Sequence, residues 1–464
     1  MMAFAVEFHA HAFLVSAVLL LSLAAVEVQL EAPGWRQGYG SRYAGQQVIR
    51  VIPANSRQAE MLRTLARDAK LDLWHPSSGD LIHPGAPTDF RVPRSVVAGS
   101  GRRGGEGGAR GRRATLSPEE VKAFLSRANV SHTVLMDDVQ KVIDAQLKTS
   151  TRDKRNARGY NYNVYHPLDE IVAWMSNVAE QNPALVSRIL IGKSYEGRPL
   201  YILQVGKKKG GTKPSMWLDC GMHAREWISP AFCQWFVKEA VRTQRSDPAM
   251  RRLLNRLDFY VMPVLNVDGY AYSWNKDRLW RKTRSKTSRK GCLGADANRN
   301  WNVGWSGAGA SVHPCDETYC GGRPESEPEV KAAARFLKRQ RRLLRAYVTV
   351  HAYAQLLLYP YAHRRSAIPN RHCVELVANE AVSALHAVNG SKYDYGPASS
   401  TMYVTSGSSL DWAYSQGARY SFALELRDTG RYGFLLPERQ IGPTCAEAMR
   451  AVSMIAAAAL RNCR

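Results

Sequence analysis

LDCGMHAREWISPAFC, residues 218–233, follows the apolar run Met216-Trp217-Leu218, which reads as a buried strand entering a bend at Gly221. His223 and Glu226 stand three residues apart just beyond the bend. That spacing can put an imidazole and a carboxylate on one side of a single turn. Such a pair is half of a zinc site, and a catalytic zinc needs one more protein ligand plus an open position for water. The pattern H-x-x-E is common, and a surface His/Glu pair is its usual outcome, so the rest of the chain must carry the argument.

At 464 residues the chain is long enough for two or three domains, and 45% hydrophobic residues with 11 Trp supply a large core. Residues 1–34 read as a secretory leader: Phe13 to Val26 is apolar, ends in small residues, and suits cleavage near Ala25, giving a signal peptide over 1–25. Glu7, His9 and His11 depart from the usual basic start. No other stretch is apolar enough to span a membrane. All 8 Cys lie from Cys220 onward, and an even count in a secreted chain points to disulfides. Cys220 with Cys233, and Cys292 with Cys315, are close enough to staple local loops. A helix over 446–461 would hold Cys445 and Cys463 about 25 Å apart, too far to pair. The net charge of +24 suggests nucleic acid at first, but it is scattered between Arg91–Arg113 and Arg278–Lys290 with no nucleic-acid motif. A solvated basic surface is expected instead.

Residues 35–149 form a first unit. QVIRVIP (47–53), LDLWHP (71–76), DFRVPRSV (89–96) and SHTVLMDD (131–138) read as strands. SRQAEMLRTLARDAK (56–70), with Ser56 as cap, and SPEEVKAFLSRAN (117–129), with Pro118 in its first turn, read as helices. The order βαββαβ is the split ferredoxin-like unit, interrupted by a Gly/Arg-rich insert at 97–113 and followed by a helix VQKVIDAQLK. STRDKRNARG (150–159) is polar and basic, as an exposed, protease-accessible linker would be. From Tyr160, helices alternate with continuous apolar strands, which predicts an α/β domain with a buried mixed sheet over 160–464. Ligands bind such sheets at strand carboxyl ends, where His223, Asn266, His351 and Glu425 fall. His351 closes the strand AYVTVHAY and can supply a third ligand, although a lone histidine there is more often a core residue. Glu425 ends the strand SFALELR and can serve as the base that zinc-bound water needs, its bland alternative being an ion pair with Arg427.

HAREW, NVDGY, RLWRKTRS, GADANRNW, HPCDETYCG, HAYAQLLLYPY, SGSSLDWAY and FALELRDTGRYGFLLP together resemble the secreted metallocarboxypeptidases of the pancreatic A/B type, in order, from about Tyr162 to Arg461. The first unit, with FRVPRS and DDVQKVID, is similar to that family's activation segment. The resemblance implies an α/β fold with a mixed eight-stranded sheet between helices behind a ferredoxin-like α+β activation domain. It also implies one Zn2+ held by His223, Glu226 and His351, with Glu425 as general base and Arg281 polarising the scissile carbonyl. Asn298, Arg299 and Tyr403 would grip the substrate carboxylate, and Arg225, Arg278, Tyr353 and Phe434 would line outer subsites. Implied partners are peptide and protein C-termini and an activating trypsin-like protease, with no nucleic acid or membrane, and the chain is expected to be a secreted monomer.

Three departures stand out. The Gly/Arg insert lengthens a loop, and Ser306 replaces a cysteine of B-type members, leaving Cys320 without that partner. In the specificity pocket Leu410 occupies the base, where B-type members place aspartate, while Ala398, Thr405 and Ala423 are small. Asp411 matches an aspartate of both types and does not discriminate. An A-type preference for aromatic or large aliphatic residues is therefore expected over a B-type preference for Lys or Arg. An inactive peptide-binding relative is disfavoured by the intact set of ligands, base and carboxylate clamp. A nucleic-acid or heparin-type binder is disfavoured because arginines of RLWRKTRS have roles in the site.

Overall fold

The computed structural model of the chain describes residues 42–94, 116–156, 159–208 and 211–461. The leader expected over 1–25, the insert at 97–113 and Cys463 lie outside them. In the first unit β1 (Gln47–Val51), α1 (Ser56–Asp68), β2 (Asp72–His75), β3 (Thr88–Val92), α2 (Pro118–Arg127) and β4 (His132–Met136) follow the expected order. The antiparallel sheet runs β2-β3-β1-β4, and Ile49, Phe90, Leu62, Val121 and Leu125 fill the layer beneath the helices. α2 opens with a capping box in which Ser117 and Glu120 each accept from the other's backbone N–H. α1 is capped one residue earlier than expected: the Asn55 side chain accepts from Gln58 N, and Ser56 is already helical.

The expected linker differs more. α3 (Val139–Asn156) carries the connecting helix through residues 150–156, where an irregular joint was anticipated. Residues 150–156 lack Gly and Pro, so neither strong breaker stops a helix already nucleated upstream.

The second unit runs α4 (Leu168–Gln181), β5 (Val186–Lys193), β6 (Pro199–Val205), β7 (Ser215–Asp219), α5 (Ile228–Thr243), α6 (Pro248–Arg256), β8 (Asp258–Met262), α7 (Val267–Asn275), α8 (Pro328–Gln340), β9 (Leu344–Ala352) and β10 (Leu356–Tyr359). It continues with α9 (Arg371–Asn389), β11 (Asp394–Pro397), α10 (Ala398–Thr401), α11 (Ser409–Ser415), β12 (Tyr420–Leu426) and α12 (Ile441–Ala459). Its eight strands are ordered β11-β10-β12-β9-β7-β8-β6-β5. The four central strands β12, β9, β7 and β8 are parallel, so their carboxyl ends share one edge of the sheet. They are covered on both faces, which is why each reads as an unbroken apolar run; all five residues of β7 are buried.

Cys220–Cys233 and Cys292–Cys315 form as expected. Cys373 is also disulfide-bonded, while Cys320 and Cys445 are free and buried. Cys320 lies against Ser306, the residue that replaces its B-type partner. Among the described residues no helix is long and apolar enough to cross a membrane.

α8 carries a buried acid. Glu329 Oε1 accepts from Tyr195 N at 3.0 Å, and Oε2 has no hydrogen-bond partner. Burial, reinforced by the charges of Glu327 and Asp268, pushes its pKa from 4.5 up to about 7. The folded state thus holds this proton more tightly than the unfolded chain does. The group therefore weakens folding as pH rises from about 4.5 to 7, by on the order of 2–3 kcal/mol. Glu329→Gln removes that slope. Calorimetric melting at pH 5 and pH 8 is expected to show the variant gaining on wild type by about 2–5 °C at the higher pH; parallel curves would refute the assignment.

Candidate active site

β7 ends at Asp219, and the chain bends at Gly221, whose φ is +63°. A Cβ there would lie 3.0 Å from Pro230 Cγ and 3.3 Å from Val264, so only glycine lets the loop turn this tightly. The turn delivers His223 and Glu226 above the strand ends. His351 is the penultimate residue of β9, and Glu425, on β12, is its direct register partner. Asn266, just past β8, donates to the Lys282 carbonyl at 3.0 Å and the Met222 carbonyl at 3.3 Å, fastening the loops of His223 and Arg281 together.

His223 Nδ1 lies 2.7 Å from Glu226 Oε1, and His351 Nδ1 lies 3.1 Å from both Glu226 Oε2 and His223 Nδ1. The three side chains are buried, and their donor atoms fall within 4.8 Å of one another. Each imidazole is held from behind through Nε2. Asp296 Oδ1 is 3.1 Å from His223, and Thr349 Oγ1, itself donating to Asp219, is 3.1 Å from His351. The two Nδ1 lone pairs and both carboxylate oxygens are thus turned to one point, an arrangement of electron pairs that calls for a cation. The donor set and the carboxylate behind His223 suit zinc. Burial would raise Glu226, but the charges and hydrogen bonds of His223 and His351 together outweigh it and bring its carboxyl well down.

Around this cluster stand the other expected residues. Asp296, buried, accepts from Arg281 Nη2 at 2.8 Å and Asn298 N at 2.8 Å, and lies 3.7 Å from Arg299 Nη1. Sequence reading missed its role, although it lies in GADANRNW two residues before Asn298. Arg299 is fixed by donation from Nε to the Gly309 carbonyl at 2.8 Å. Burial pushes Glu425 up to about 7, tempered by His351. Its bland alternative fails, because Arg427 pairs with Glu447 at 2.5 Å.

One cleft is lined by His223, Glu226, His351, Arg281, Asn298, Arg299, Tyr403, Tyr353, Phe434 and Glu425. It continues into an apolar recess of Leu358, Ala362, Ala398, Leu410 and Ala423, with Leu356 and Met402 packed against them and Thr405 beside them. Leu358, Ala362 and Met402 were not anticipated. Asp411 turns away from the recess and accepts from Ala362 N at 2.9 Å and His363 N at 2.9 Å.

The two units pack as one body, and the first occupies the cleft mouth. Ser77 Oγ lies 3.2 Å from Arg299 Nη2 and 3.3 Å from Tyr403 Oη. Asp72 pairs with Arg225 at 3.2 Å, and Trp74 packs on Phe434 with ring centroids 5.1 Å apart. Arg225 and Arg278 are buried, and Arg278 Nε donates to Gln146 at 3.0 Å. Tyr353 Oη donates to Asp89 at 2.7 Å, while Asp89 also pairs with Arg50 at 2.6 Å, and Arg50 donates to the Thr429 carbonyl at 2.7 Å.

The family model for zinc carboxypeptidase matches residues 171–451. The chain belongs to the zinc carboxypeptidase family. A second model, the carboxypeptidase activation peptide, matches residues 49–99 and 117–146, so this carboxypeptidase is a zymogen. The chain is 51% identical to human carboxypeptidase A6, over 96% of its own length and 98% of that protein, and 44% identical to human carboxypeptidase B, over 91% and 95%. The crystal structure of thrombin activatable fibrinolysis inhibitor superposes with a TM-score of 0.80 at 41% identity, covering 89% of this chain and 98% of that one.

Asp89 ties the activation unit to the cleft directly through Tyr353 and indirectly by holding Arg50, which donates to the Thr429 carbonyl. Asp89→Ala leaves the half-buried Arg50 and the Tyr353 hydroxyl without their shared partner. The uncut variant is expected to hydrolyse peptide about tenfold faster than uncut wild type. Equal latency in a variant with an unchanged circular dichroism melt would argue against this latch.

Proposed function

We propose that the mature enzyme is a secreted carboxypeptidase that removes aromatic or large aliphatic residues (Phe, Tyr, Leu, Met) from peptide and protein C-termini. The apolar recess beside the cleft carries this reading. Relatives named for both A6 and B are close, so the recess and not a name supports the preference. Burying a Lys or Arg head group without a carboxylate partner costs several kcal/mol, and Leu410 offers none. Each methylene buried there adds about 0.8 kcal/mol.

In this reading His223, Glu226 and His351 hold one zinc ion, which when bound supplies Lewis-acid polarisation of the scissile carbonyl. Glu425 takes the proton of the attacking water and returns it to the leaving amine, a task suited to a carboxyl held near neutrality. Arg281, oriented by Asp296, stabilises the negative charge developing on the carbonyl oxygen. Arg299 and Asn298 with Tyr403 receive the terminal carboxylate, and a guanidinium fork suits that anion. Arg225, Arg278, Tyr353 and Phe434 contact upstream residues once the cover has gone. The cover corresponds to residues 35–149 and the catalytic domain to 160–464, with a leader over 1–25. A trypsin-like protease releases the cover by cutting within 150–159, after Lys154, Arg155 or Arg158, and the product acts as a monomer without nucleic acid or membrane.

A panel of peptides differing only in the C-terminal residue, assayed before and after trypsin, tests the whole reading; faster release of Arg than Phe would overturn the preference. Leu410→Asp is expected to raise cleavage of C-terminal Arg relative to Phe by about 10- to 100-fold, the scale on which one buried partner discriminates. Chelation is expected to abolish turnover and added zinc to restore it. Glu425→Gln is expected to retain zinc by atomic absorption while kcat falls at least about 100-fold; normal turnover would remove Glu425 from the mechanism.

A further inference from the structure

The active site does not absorb the +24 charge. Its arginines are buried, whereas a further basic stretch, KAAARFLKRQRRLLR (331–345), keeps its cations on the surface, and no Asp or Glu occurs between Glu329 and Glu375. Lys331, Arg335, Lys338 and Arg339 are exposed at positions i, i+4, i+7 and i+8 of α8. They line one surface depression whose only carboxylate is Glu325. Arg341, Arg342 and Arg345 continue the exposed strip into the start of β9. Glu325 pairs with Lys338 at 2.8 Å, and the other six cations form no ion pair among the described residues.

A solvated helix face is the ordinary explanation of such a run, and the helix dipole accounts for Lys338 and Arg339 in the last turn. It does not account for Lys331 near the opposite end. Lys331, Arg335 and Arg339 also repel one another at successive i, i+4 spacings, which destabilises a free helix. An anion shared along the face would relieve the repulsion.

We infer that this strip is a binding surface for a linear sulfated polysaccharide. Lys331 to Arg339 spans about 12 Å at 1.5 Å per residue, giving a row of cations along an extended polyanion. Planar guanidinium forks match sulfate oxygens as they match carboxylate and phosphate. The strip offers no aromatic face for bases, because Phe336 turns inward against Trp217 and Tyr260. Nor does it carry an exposed large apolar side chain to enter a bilayer; those lie elsewhere, at Ile52, Leu190, Tyr195, Val312, Leu376, Val388 and Tyr395. Its carboxyl end meets β9 at the strand end opposite His351, about 23 Å away at the rise of a strand, so a bound polysaccharide leaves the cleft open.

The test uses the full chain and a fluorescent heparin dodecasaccharide. Lys331→Ser/Arg335→Ser/Arg339→Ser is compared with Lys286→Ser/Arg289→Ser/Lys290→Ser, three exposed cations of another loop. The α8 variant is expected to bind at least tenfold more weakly, with the slope of log K against log salt reduced by about 3. The loop variant is expected to stay within twofold of wild type, and peptide hydrolysis after activation should be equal in all three. As an independent reading on the wild-type chain, bound dodecasaccharide should shield Arg335 and Arg339 from phenylglyoxal. Equal weakening by both variants would mean net charge alone and would overturn the site, as would unshielded arginines. The inference also fails if duplex DNA or phosphatidylserine vesicles bind with the same dependence on α8.

Discussion

One buried carboxylate, Asp296, holds the catalytic centre in register. It touches His223 from behind, receives Arg281 and the backbone of Asn298, and lies beside Arg299. Removing such a charge from water is expensive unless cations and N–H groups surround it, and here they do. Arg281 and His223, with their neighbours, keep its carboxyl well below the ordinary range despite its burial. The same contacts fix which face of the His223 ring looks toward Glu226. The residues proposed to face substrate and metal are therefore coupled through a group that need touch neither ligand, a positioning role that double-mutant cycles can separate from direct contact.

Around that anchor the sheet contributes height and spacing. Because β7, β8, β9 and β12 are parallel, four loops open on one edge, and register places Glu425 beside His351 without any special loop. The alternating elements and unbroken apolar runs made this legible in the sequence, since strands buried on both faces have no polar period to hide. The ferredoxin-like unit was equally legible, through period-two strands and a capping box at Ser117. Less was visible where residues are short of signal. β10 and β11 have four residues each, and the helical continuation into residues 150–156 turns on the absence of a stop. Asp296 had the right composition and motif, but its hydrogen bonds join segments distant in sequence, which no local pattern encodes. The same holds for Leu358, Ala362 and Met402, which reach the recess from different elements.

The cover meets the cleft mainly with polar groups of modest charge. Its closest approach to Arg299 is the neutral Ser77 hydroxyl, while its carboxylates, Asp72 and Asp89, engage Arg225 and Tyr353 farther out. Blocking thus comes from bulk and from several dispersed contacts, not from a surrogate of the substrate carboxylate.

The helical state of residues 150–156 has a kinetic consequence. A protease of the trypsin type must thread its target through its own cleft as an extended strand, and an α-helix cannot be threaded. The proposed cuts after Lys154 and Arg155 would require the last turns of α3 to fray. Cleavage of an opened state tracks the population of that state whenever reclosing outpaces cutting. Conversion at those bonds would then behave as a timer set by helix end stability: whatever strengthens the final turns lengthens the delay before activity, with no change in the enzyme that emerges.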